Sequence, residues 1–279
     1  MSGTSVYAEH AGLRQRYEIE ATLVFDTAWR IGSGREGETG IDLGVLLDPT
    51  GQPLLPGSTL KGKIRSLAET LAGHLGMTAC QLQSSVSGVK CVSDTQYYKR
   101  VRSEYERAMR GGIRKQLEWI DRNTCDVCKL FGSPVRAARI KVSDAVLREG
   151  SPTLHGRDGV VLDRDSRTAV PGLKYDYEVV APEVAYAFRV RLDNPTDREL
   201  ALIGAVLFQM ADGEALGGFV SRGLGRFRLT SLTVWQADLQ KPEALVRFLT
   251  GRTVQDRMTK VPDWEQFFTE KIQAVLQGV

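Results

Sequence analysis

The chain of 279 residues is 42% hydrophobic and 25% charged, the composition of a globular protein that can bury a sizeable core. Its apolar runs stay well below ~20 residues, which excludes a transmembrane helix. Its start lacks the layout of a signal peptide, which favours a cytoplasmic location. The net charge of +3 is too small to indicate a partner, although Arg outnumbers Lys by 26 to 11. Arginine suits bidentate phosphate contacts, but a high-GC genome produces the same bias.

The first predicted element is a strand over residues 15–27, where apolar residues alternate with polar ones. A glycine-rich stretch at 31–42 follows the strand. A short apolar run at 43–47 then ends in a turn at 48–51, which contains Asp, Pro and Gly.

A helix is predicted over residues 58–73, because apolar side chains recur at the spacing of one buried face and Ser58 is a favourable N-cap. Its start carries Lys61 and Lys63, where the helix dipole prefers acids, and Lys61 shares a face with Arg65. This basic helix start indicates an anion-binding site, with a solvated basic face as the alternative.

Residues 74–135 are predicted to form an insertion built around a metal ion. Disulfides are rare in the cytosol, so its cysteines need another role; they are Cys80, Cys91, Cys125 and Cys128. The last two form a C-x2-C knuckle, and the first two complete the four thiolates of a structural zinc site. His74 is an alternative fourth ligand. A redox-active C-x2-C beside two buried thiols is the competing interpretation.

The middle of this insertion is strongly basic and is predicted to be partly helical. Its cationic residues are Lys99, Arg100, Arg102, Arg107, Arg110, Arg114 and Lys115. Only Glu104 and Glu106 oppose them in the same stretch, so the small net charge conceals an uneven distribution.

The second half of the chain alternates between strand and helix patterns. The predicted elements are a strand at 137–147, an extended hairpin or arm at 155–177, a strand at 184–192, a helix through 200–210, a strand at 227–235 and helices at 241–250 and 262–277. The complete order predicts an α+β domain of the ferredoxin-like kind.

A second glycine-rich loop runs from Gly217 to Arg226, just before the strand at 227–235. Its glycines allow a ligand to approach the backbone closely, and Arg222 and Arg226 add donors for phosphate. The loop leads from a helix into a strand, the reverse of a dinucleotide-binding loop. A polyanion backbone is therefore favoured over a nucleotide cofactor.

Three motifs in this order resemble those of the RAMP superfamily of CRISPR proteins. They are Leu55-Pro56-Gly57-Ser58-Thr59-Leu60-Lys61-Gly62-Lys63-Ile64-Arg65, the knuckle with Leu130-Phe131-Gly132, and Gly217-Gly218-Phe219-Val220-Ser221-Arg222-Gly223-Leu224-Gly225. The resemblance covers roughly residues 15–236. More narrowly, the chain is similar to the repeated backbone subunit of type III effector complexes.

The resemblance implies one hand-shaped RAMP domain over residues 1–279, with a modified RNA-recognition fold as its palm. It also implies a zinc-binding finger, which matches the insertion at 74–135, and a protruding thumb at 152–183. In this family, copies stack along a guide RNA, and each thumb interrupts the duplex between guide and target.

The resemblance further implies that target RNA is cut by an aspartate in the loop after the first strand, which Asp42 matches in Gly40-Ile41-Asp42-Leu43. The implied chemistry is attack by the ribose 2′-OH with a divalent cation such as Mg²⁺; a carboxylate can hold the ion or accept the proton. The implied partners are guide CRISPR RNA, target RNA and other effector subunits. The residues expected to bind RNA are Ser58, Lys61, Lys63, Arg65, Gly217, Gly218, Ser221, Arg222 and Arg226.

Three alternatives stay open. Asp42 could cap local backbone, as aspartate often does in loops. The chain could be a structural subunit that binds RNA without cutting it, or a stand-alone zinc-dependent or zinc-stabilised enzyme for a small anionic substrate. Among the neighbouring acids, Glu36 and Glu38 do not match the motif, and Asp48 is explained by turn geometry.

Overall fold

The computed structural model describes residues 12–34, 42–82 and 88–278. The strands, in chain order, are β1 (Gln15–Phe25), β2 (Ile140–Val142), β3 (Leu147–Glu149), β4 (Leu154–Leu162), β5 (Ala169–Val180), β6 (Ala185–Asp193), β7 (Glu214–Ala215), β8 (Arg226–Asp238) and β9 (Thr259–Lys260). The α-helices are α1 (Gly57–Leu71), α2 (Thr95–Arg110), α3 (Ile113–Arg122), α4 (Asp126–Phe131), α5 (Asp197–Asp212), α6 (Pro242–Thr250), α7 (Val254–Arg257) and α8 (Trp264–Gln277). Over these described ranges, no helix is both long and apolar enough to span a membrane.

A seven-stranded sheet forms the centre of the fold. Its path runs β2-β6-β1-β8-β7, with β3 added to β6 and β9 added to β8. β1 pairs along its length with both β6 and β8, so that Ile19 lies opposite Val190 on one side and Val234 on the other. These pairings are antiparallel and the helices are interspersed among the strands, which confirms the predicted mixture of helices and strands.

The main hydrophobic core lies on one face of this sheet, where α1, α5 and α8 pack. The alternation that predicts the first strand is confirmed, because every second side chain from Tyr17 to Phe25 is buried. Phe25 stacks on Trp29 with ring centroids 4.6 Å apart. The aromatic cluster therefore fixes the turn that leaves β1, from which the first glycine-rich stretch begins.

Helix α1 begins one residue earlier than predicted, and the prediction of Ser58 as its N-cap is wrong. Pro56 occupies the N-cap position, and Ser58 is exposed within the first turn. The free amide of Gly57 donates instead to Asp144 Oδ1 at 2.6 Å. This carboxylate lies 87 positions later in the chain, so a local sequence pattern cannot reveal it.

Strands β4 and β5 form a separate hairpin where the sequence predicts an extended arm. Most of its side chains are exposed, but its base is anchored to the central fold. There Trp29 N donates to Val180 O at 3.0 Å, and Val180 N donates to Trp29 O at 2.7 Å. The hairpin thus projects from the segment that follows β1.

Residues 74–135, predicted from the sequence to be an insertion and called the finger below, contain α2, α3 and α4. Helix α2 has no buried residue. Its apolar side packs with α3 around a small cluster centred on Val92, Trp119 and Ile120. The finger is more helical than its sequence suggests, because only one narrow side of each helix is apolar.

Candidate functional site

The four cysteines of the finger meet in one buried cluster. Their Sγ atoms all lie within 4.8 Å of one another, and the Sγ atoms of Cys80 and Cys128 are 3.6 Å apart. A tetrahedral zinc ion with bonds of ~2.3 Å needs sulfur atoms about 3.8 Å apart, so this cluster could hold such a metal. His74 is exposed on the short helical turn Ala72–Leu75 and is not one of the clustered ligands.

Two backbone contacts bring the cysteine pairs together. Just before Cys80, Thr78 N donates to Asp126 Oδ2 at 2.8 Å, and Asp126 N donates in return to Thr78 Oγ1 at 3.0 Å. Just after the second cysteine, Val92 N donates to Asn123 O at 2.9 Å. Both contacts hold the irregular first half of the finger against the start of α4.

Hydrogen-bond donors lie beside the sulfur atoms of Cys128 and Cys91, and hydrogen bonds within the cluster lower the pKa of these two thiols while they and burial raise the pKa of Cys80 and Cys125. Arg65 Nη2 lies 3.1 Å from Cys128 Sγ, and Cys125 N lies 3.4 Å from Cys91 Sγ. Hydrogen bonds from Cys125 and Cys80 lower the pKa of Cys128 to about 7. Metal ligands are commonly oriented by such outer hydrogen bonds, so the donor set fits a metal better than a pair of isolated thiols.

Asp42 lies at the base of the hairpin. Its Oδ2 accepts a hydrogen bond from Asp176 N at 3.0 Å. The next residue, Leu43, donates its amide to Asp176 O at 3.1 Å and accepts from Glu178 N at 3.0 Å, so the chain runs beside β5. The Asp42 side chain is exposed, and its contact is with backbone 134 positions away rather than with a local turn.

The other acids of this region differ from Asp42 in their surroundings. Glu36 and Glu38 lie outside the described residues. Asp48 Oδ1 accepts from Thr50 N at 2.8 Å and from Gln52 N at 3.0 Å, so turn geometry explains this residue, as predicted.

Arg30 links the Asp42 loop to the hairpin. Only 7% of this residue is exposed. Its Nη2 donates to Leu43 O at 3.1 Å and to Gly44 O at 3.3 Å, while its Nε donates to Glu178 O at 3.2 Å. Burial lowers the pKa of the guanidinium. The sequence analysis missed this residue, although a charge inside the apolar stretch at 28–31 was an available signal.

The glycines of the second loop allow the loop to pack closely against the backbone of neighbouring segments. Gly218 N donates to Arg30 O at 2.9 Å. Gly217 has a φ of +96°, and a Cβ there would collide with Arg30 O; a Cβ at Gly225 would likewise collide with Leu216 O. These two positions therefore require glycine even without a ligand.

Three elements meet around the ring of Phe219, which has a left-handed φ of +59°. The ring centroid of Tyr177 lies 4.7 Å away, and the guanidinium carbons of Arg222 and Arg30 lie 5.0 Å and 5.5 Å from the Phe219 centroid. Arg222 Nη1 also donates to Tyr175 Oη at 2.5 Å. A non-glycine residue with a left-handed φ is strained and persists only where its surroundings hold it in place. Strain of this kind is often found at functional sites. The glycine loop, the hairpin and the Asp42 loop thus form one continuous surface.

The basic residues of α1 do not form a single open patch. Lys63 Nζ pairs with Glu214 Oε2 at 2.7 Å, and Arg65 Nε pairs with Glu69 Oε1 at 2.8 Å. Lys61 is partly buried, which lowers its pKa, and the charge of Arg65 adds to this effect. Of the residues predicted to bind RNA, the exposed ones are Ser58, Gly217, Ser221, Arg222 and Arg226.

Comparison with known protein families identifies the family to which the chain belongs. The model of the RAMP superfamily matches residues 22–228, which is most of the chain. The chain therefore belongs to the RAMP superfamily, and the predicted resemblance is confirmed. It is also 24% identical over 252 residues to the CRISPR system Cms endoribonuclease Csm3 of Methanocaldococcus jannaschii, covering 80% of this chain and 82% of the relative.

Proposed function

We propose that the chain is a guide-RNA-binding backbone subunit of a type III CRISPR effector and that it cuts complementary target RNA at Asp42. The observation that carries this proposal is the position of the exposed Asp42 carboxylate, held at the hairpin base by Asp176 N. Similarity to a relative named as a CRISPR endoribonuclease supports it. The proposed partners are guide CRISPR RNA, target RNA and other effector subunits.

The proposed cleavage is an attack of the ribose 2′-OH on the adjacent phosphorus. The bond from phosphorus to the 5′ oxygen breaks, which leaves a 2′,3′-cyclic phosphate and a 5′-OH. Asp42 accepts the proton of the 2′-OH or holds a divalent cation such as Mg²⁺, which proteins often bind with one carboxylate and substrate phosphates. A bound cation would neutralise the charge that develops on the phosphate. Arg30 holds the loop that carries Asp42.

The guide is proposed to contact the start of α1 and the glycine loop. Lys61, Arg222 and Arg226 supply most of the charge, since within the described ranges none of them has a carboxylate partner, whereas Lys63 and Arg65 do. The remaining contacts come from Ser58, Gly217, Gly218 and Ser221. Replacing both Lys61 and Arg222 by Gln should flatten the plot of log K against log salt by about 1.4 units for single-stranded RNA. An unchanged slope would refute this part.

The architecture proposed with this function is one RAMP domain over residues 1–279. The sheet order β2-β6-β1-β8 supports a ferredoxin-like palm, with α1 after β1 and α5 after β6. The cysteine cluster supports a zinc-bearing finger at 74–135, and the hairpin supports a thumb at 152–183. The zinc is structural, because four thiolates leave no open coordination position.

The substitution Asp42→Asn tests the catalytic role in the assembled complex. It keeps an oxygen that can accept from Asp176 N but removes the carboxylate. We expect target cleavage to fall by about 10²–10⁴-fold, with guide and target binding unchanged. Asp48→Asn is the matched control, because Asp48 is a nearby aspartate whose hydrogen bonds stay within its own turn.

Undiminished cleavage by the Asp42→Asn complex would place the active site elsewhere. The second candidate function is a structural subunit that binds RNA without cutting it, and the contact between Asp42 and the Asp176 amide is the observation that favours it. A native complex that binds both RNAs and leaves the target uncut would support that candidate. Native protein purified without RNA would instead favour a stand-alone zinc-stabilised enzyme.

A further inference from the structure

Helix α2 of the finger presents a cationic stripe on the side away from its packing partner. At 3.6 residues per turn, its members fall within an arc of about 100° of the helix surface. They are Lys99, Arg100, Arg107 and Arg110, and all four are exposed. The apolar side chains of the same helix, such as Val101 and Tyr105, lie on the other side and pack in the finger cluster. The stripe is therefore presented to solvent by the way the finger folds.

The stripe differs from two other exposed arginines of the finger, Arg102 and Arg114, in its pairing with acids, although Glu104 and Glu106 lie four positions from Arg100 and Arg110 on the same helix. Arg102 Nε pairs with Glu106 at 3.1 Å, and Arg114 Nε pairs with Glu118 at 3.0 Å. Within the part of the chain that the structure describes, no residue of the stripe forms an ion pair. Its contacts are weak, since Arg107 Nε reaches only a backbone oxygen at 3.4 Å.

The stability of the helix does not account for this arrangement. The helix dipole favours cations in the last turn, where Arg107 and Arg110 lie. It gives no such reason for Lys99 and Arg100 in the second turn. Arg107 and Arg110 are also three residues apart, a spacing at which like charges repel. The dipole thus accounts for two of the four charges, and a bound anion would offset the repulsion between neighbouring cations of the stripe.

We infer that the cationic stripe of α2 binds the phosphate backbone of an RNA strand, at a site separate from Asp42 and the glycine loop. With a rise of 1.5 Å per residue, Lys99 and Arg110 are about 16 Å apart along the helix, the length of roughly five nucleotides of one strand. The stripe consists of long cationic side chains, which suit contacts to phosphates; Arg100 also lies over the ring of Tyr97, with its guanidinium carbon 6.0 Å from the ring centroid. The inference rests on the proposed function in that RNA is the partner.

Two double variants of the full chain test whether RNA binding depends on the stripe or only on the overall charge of the finger. Arg100→Gln with Arg107→Gln removes two unpaired arginines, and Arg102→Gln with Arg114→Gln removes two paired ones from the same finger. Binding of a single-stranded RNA is measured over a series of salt concentrations. We expect the first variant to flatten the slope of log K against log salt by about 1.4 units, and the second to flatten it by less than half as much.

A second set of titrations adds the complementary RNA to chain already saturated with the first strand. If the Arg100/Arg107 variant shows a flattened slope in the first set, the stripe binds the guide. If it shows a flattened slope only in the second set, the stripe binds the target. Each of these two results supports the inference. Identical slopes for the unaltered chain and the Arg100/Arg107 variant in both sets would overturn it. Equal flattening by both double variants would also overturn it, because overall charge would then suffice. Failure of the unaltered chain to bind RNA would remove the proposed function as well.

Discussion

The central sheet and the finger bury very different amounts of apolar side chain. Helix α5, which packs on the sheet, has nine buried residues among sixteen, whereas α2 has none in a helix of the same length. The apolar cluster between α2 and α3 has three buried members, Val92, Trp119 and Ile120, whereas the buried residues of α4 belong to the main core. Burial therefore stabilises the sheet and α4, but it contributes much less to α2 and α3.

The cysteine cluster connects these two regions. All four cysteines are buried in the same core that covers the sheet, next to Val127 and Leu130 of α4. A metal ion bound there would fix the start and the end of the finger to α1, while the cationic part of the finger stays exposed. The comparison leads us to predict that the finger depends on metal–ligand bonds for the order that the sheet obtains from packing.

The largest expected effect is that of removing the metal. A chelator, or replacing Cys125 and Cys128 by Ser, should remove on the order of 10 kcal/mol of metal-binding free energy from the folded finger. Hydrogen exchange should then show loss of protection in α2 and α3, with β1 still protected. Equal loss of protection in β1 and α2 would mean that the sheet depends on the metal as much as the finger does. Full protection of α2 without metal would mean that packing alone is enough to order the finger.

The next effect in size is a cavity in the core beside the sheet. Phe25 is fully buried and stacks on Trp29, so Phe25→Ala should destabilise the chain by about 3–5 kcal/mol. Denaturant unfolding measures the change. Tyr105→Ala is the counterpart in the finger, where the ring is only partly buried, and its cost should be clearly smaller. Similar costs would mean that the finger is packed as tightly as the sheet.

Substitution of Arg30 is expected to have an intermediate effect on stability and a large one on cleavage. Arg30→Met removes the side-chain donor to the buried carbonyl of Glu178 and one of the two donors to the carbonyl of Leu43, which should cost about 1–3 kcal/mol. The resulting shift of the Asp42 loop should reduce cleavage by about 10²-fold. RNA binding should stay unchanged, because Arg30 is buried.

Arg30→Lys serves as the matched variant, because it keeps the charge and one donor. Partial rescue of cleavage by Lys would support a positioning role for Arg30. Cleavage that is normal in Arg30→Met, measured at a temperature where the variant is folded, would show that the loop does not need this anchor.

The features predicted correctly from the sequence are those with a local signal. The strand β1 follows from strict alternation, and the cysteine cluster follows from four cysteines in one predicted insertion. The contacts that shape the candidate site are long-range: Asp42 to Asp176 spans 134 positions, and the ion pair of Lys63 with Glu214 spans 151. No local pattern encodes such a pairing, which is why Lys63 is predicted from the sequence to bind RNA although Glu214 pairs with it in the fold.

The smallest expected effect is that of removing one carboxylate from an ion pair, either in the central sheet or in the finger. Asp193, at the end of β6, lies 2.6 Å from Arg16 Nε and 3.2 Å from Lys141 Nζ. Burial raises the pKa of its carboxyl, but the hydrogen bonds and charges of Arg16 and Lys141 outweigh burial and hold this pKa below its ordinary value. Because the folded pKa is the lower one, the ion pairs stabilise the chain above the unfolded pKa. That stability disappears as the pH falls through the folded value.

Asp193→Asn should therefore cost about 1 kcal/mol near neutral pH, and the difference from the unaltered chain should vanish in acid. Glu106→Gln in the finger is the comparison, since its pair with Arg102 is exposed to solvent and should contribute less than about 0.5 kcal/mol. Unfolding measured from neutral to acid pH tests both variants. A pH-independent cost for Asp193→Asn would mean that the carboxylate acts through its shape rather than its charge. A cost for Glu106→Gln as large as that for Asp193→Asn would mean that the finger, too, draws stability from its own ion pairs and not from the metal alone.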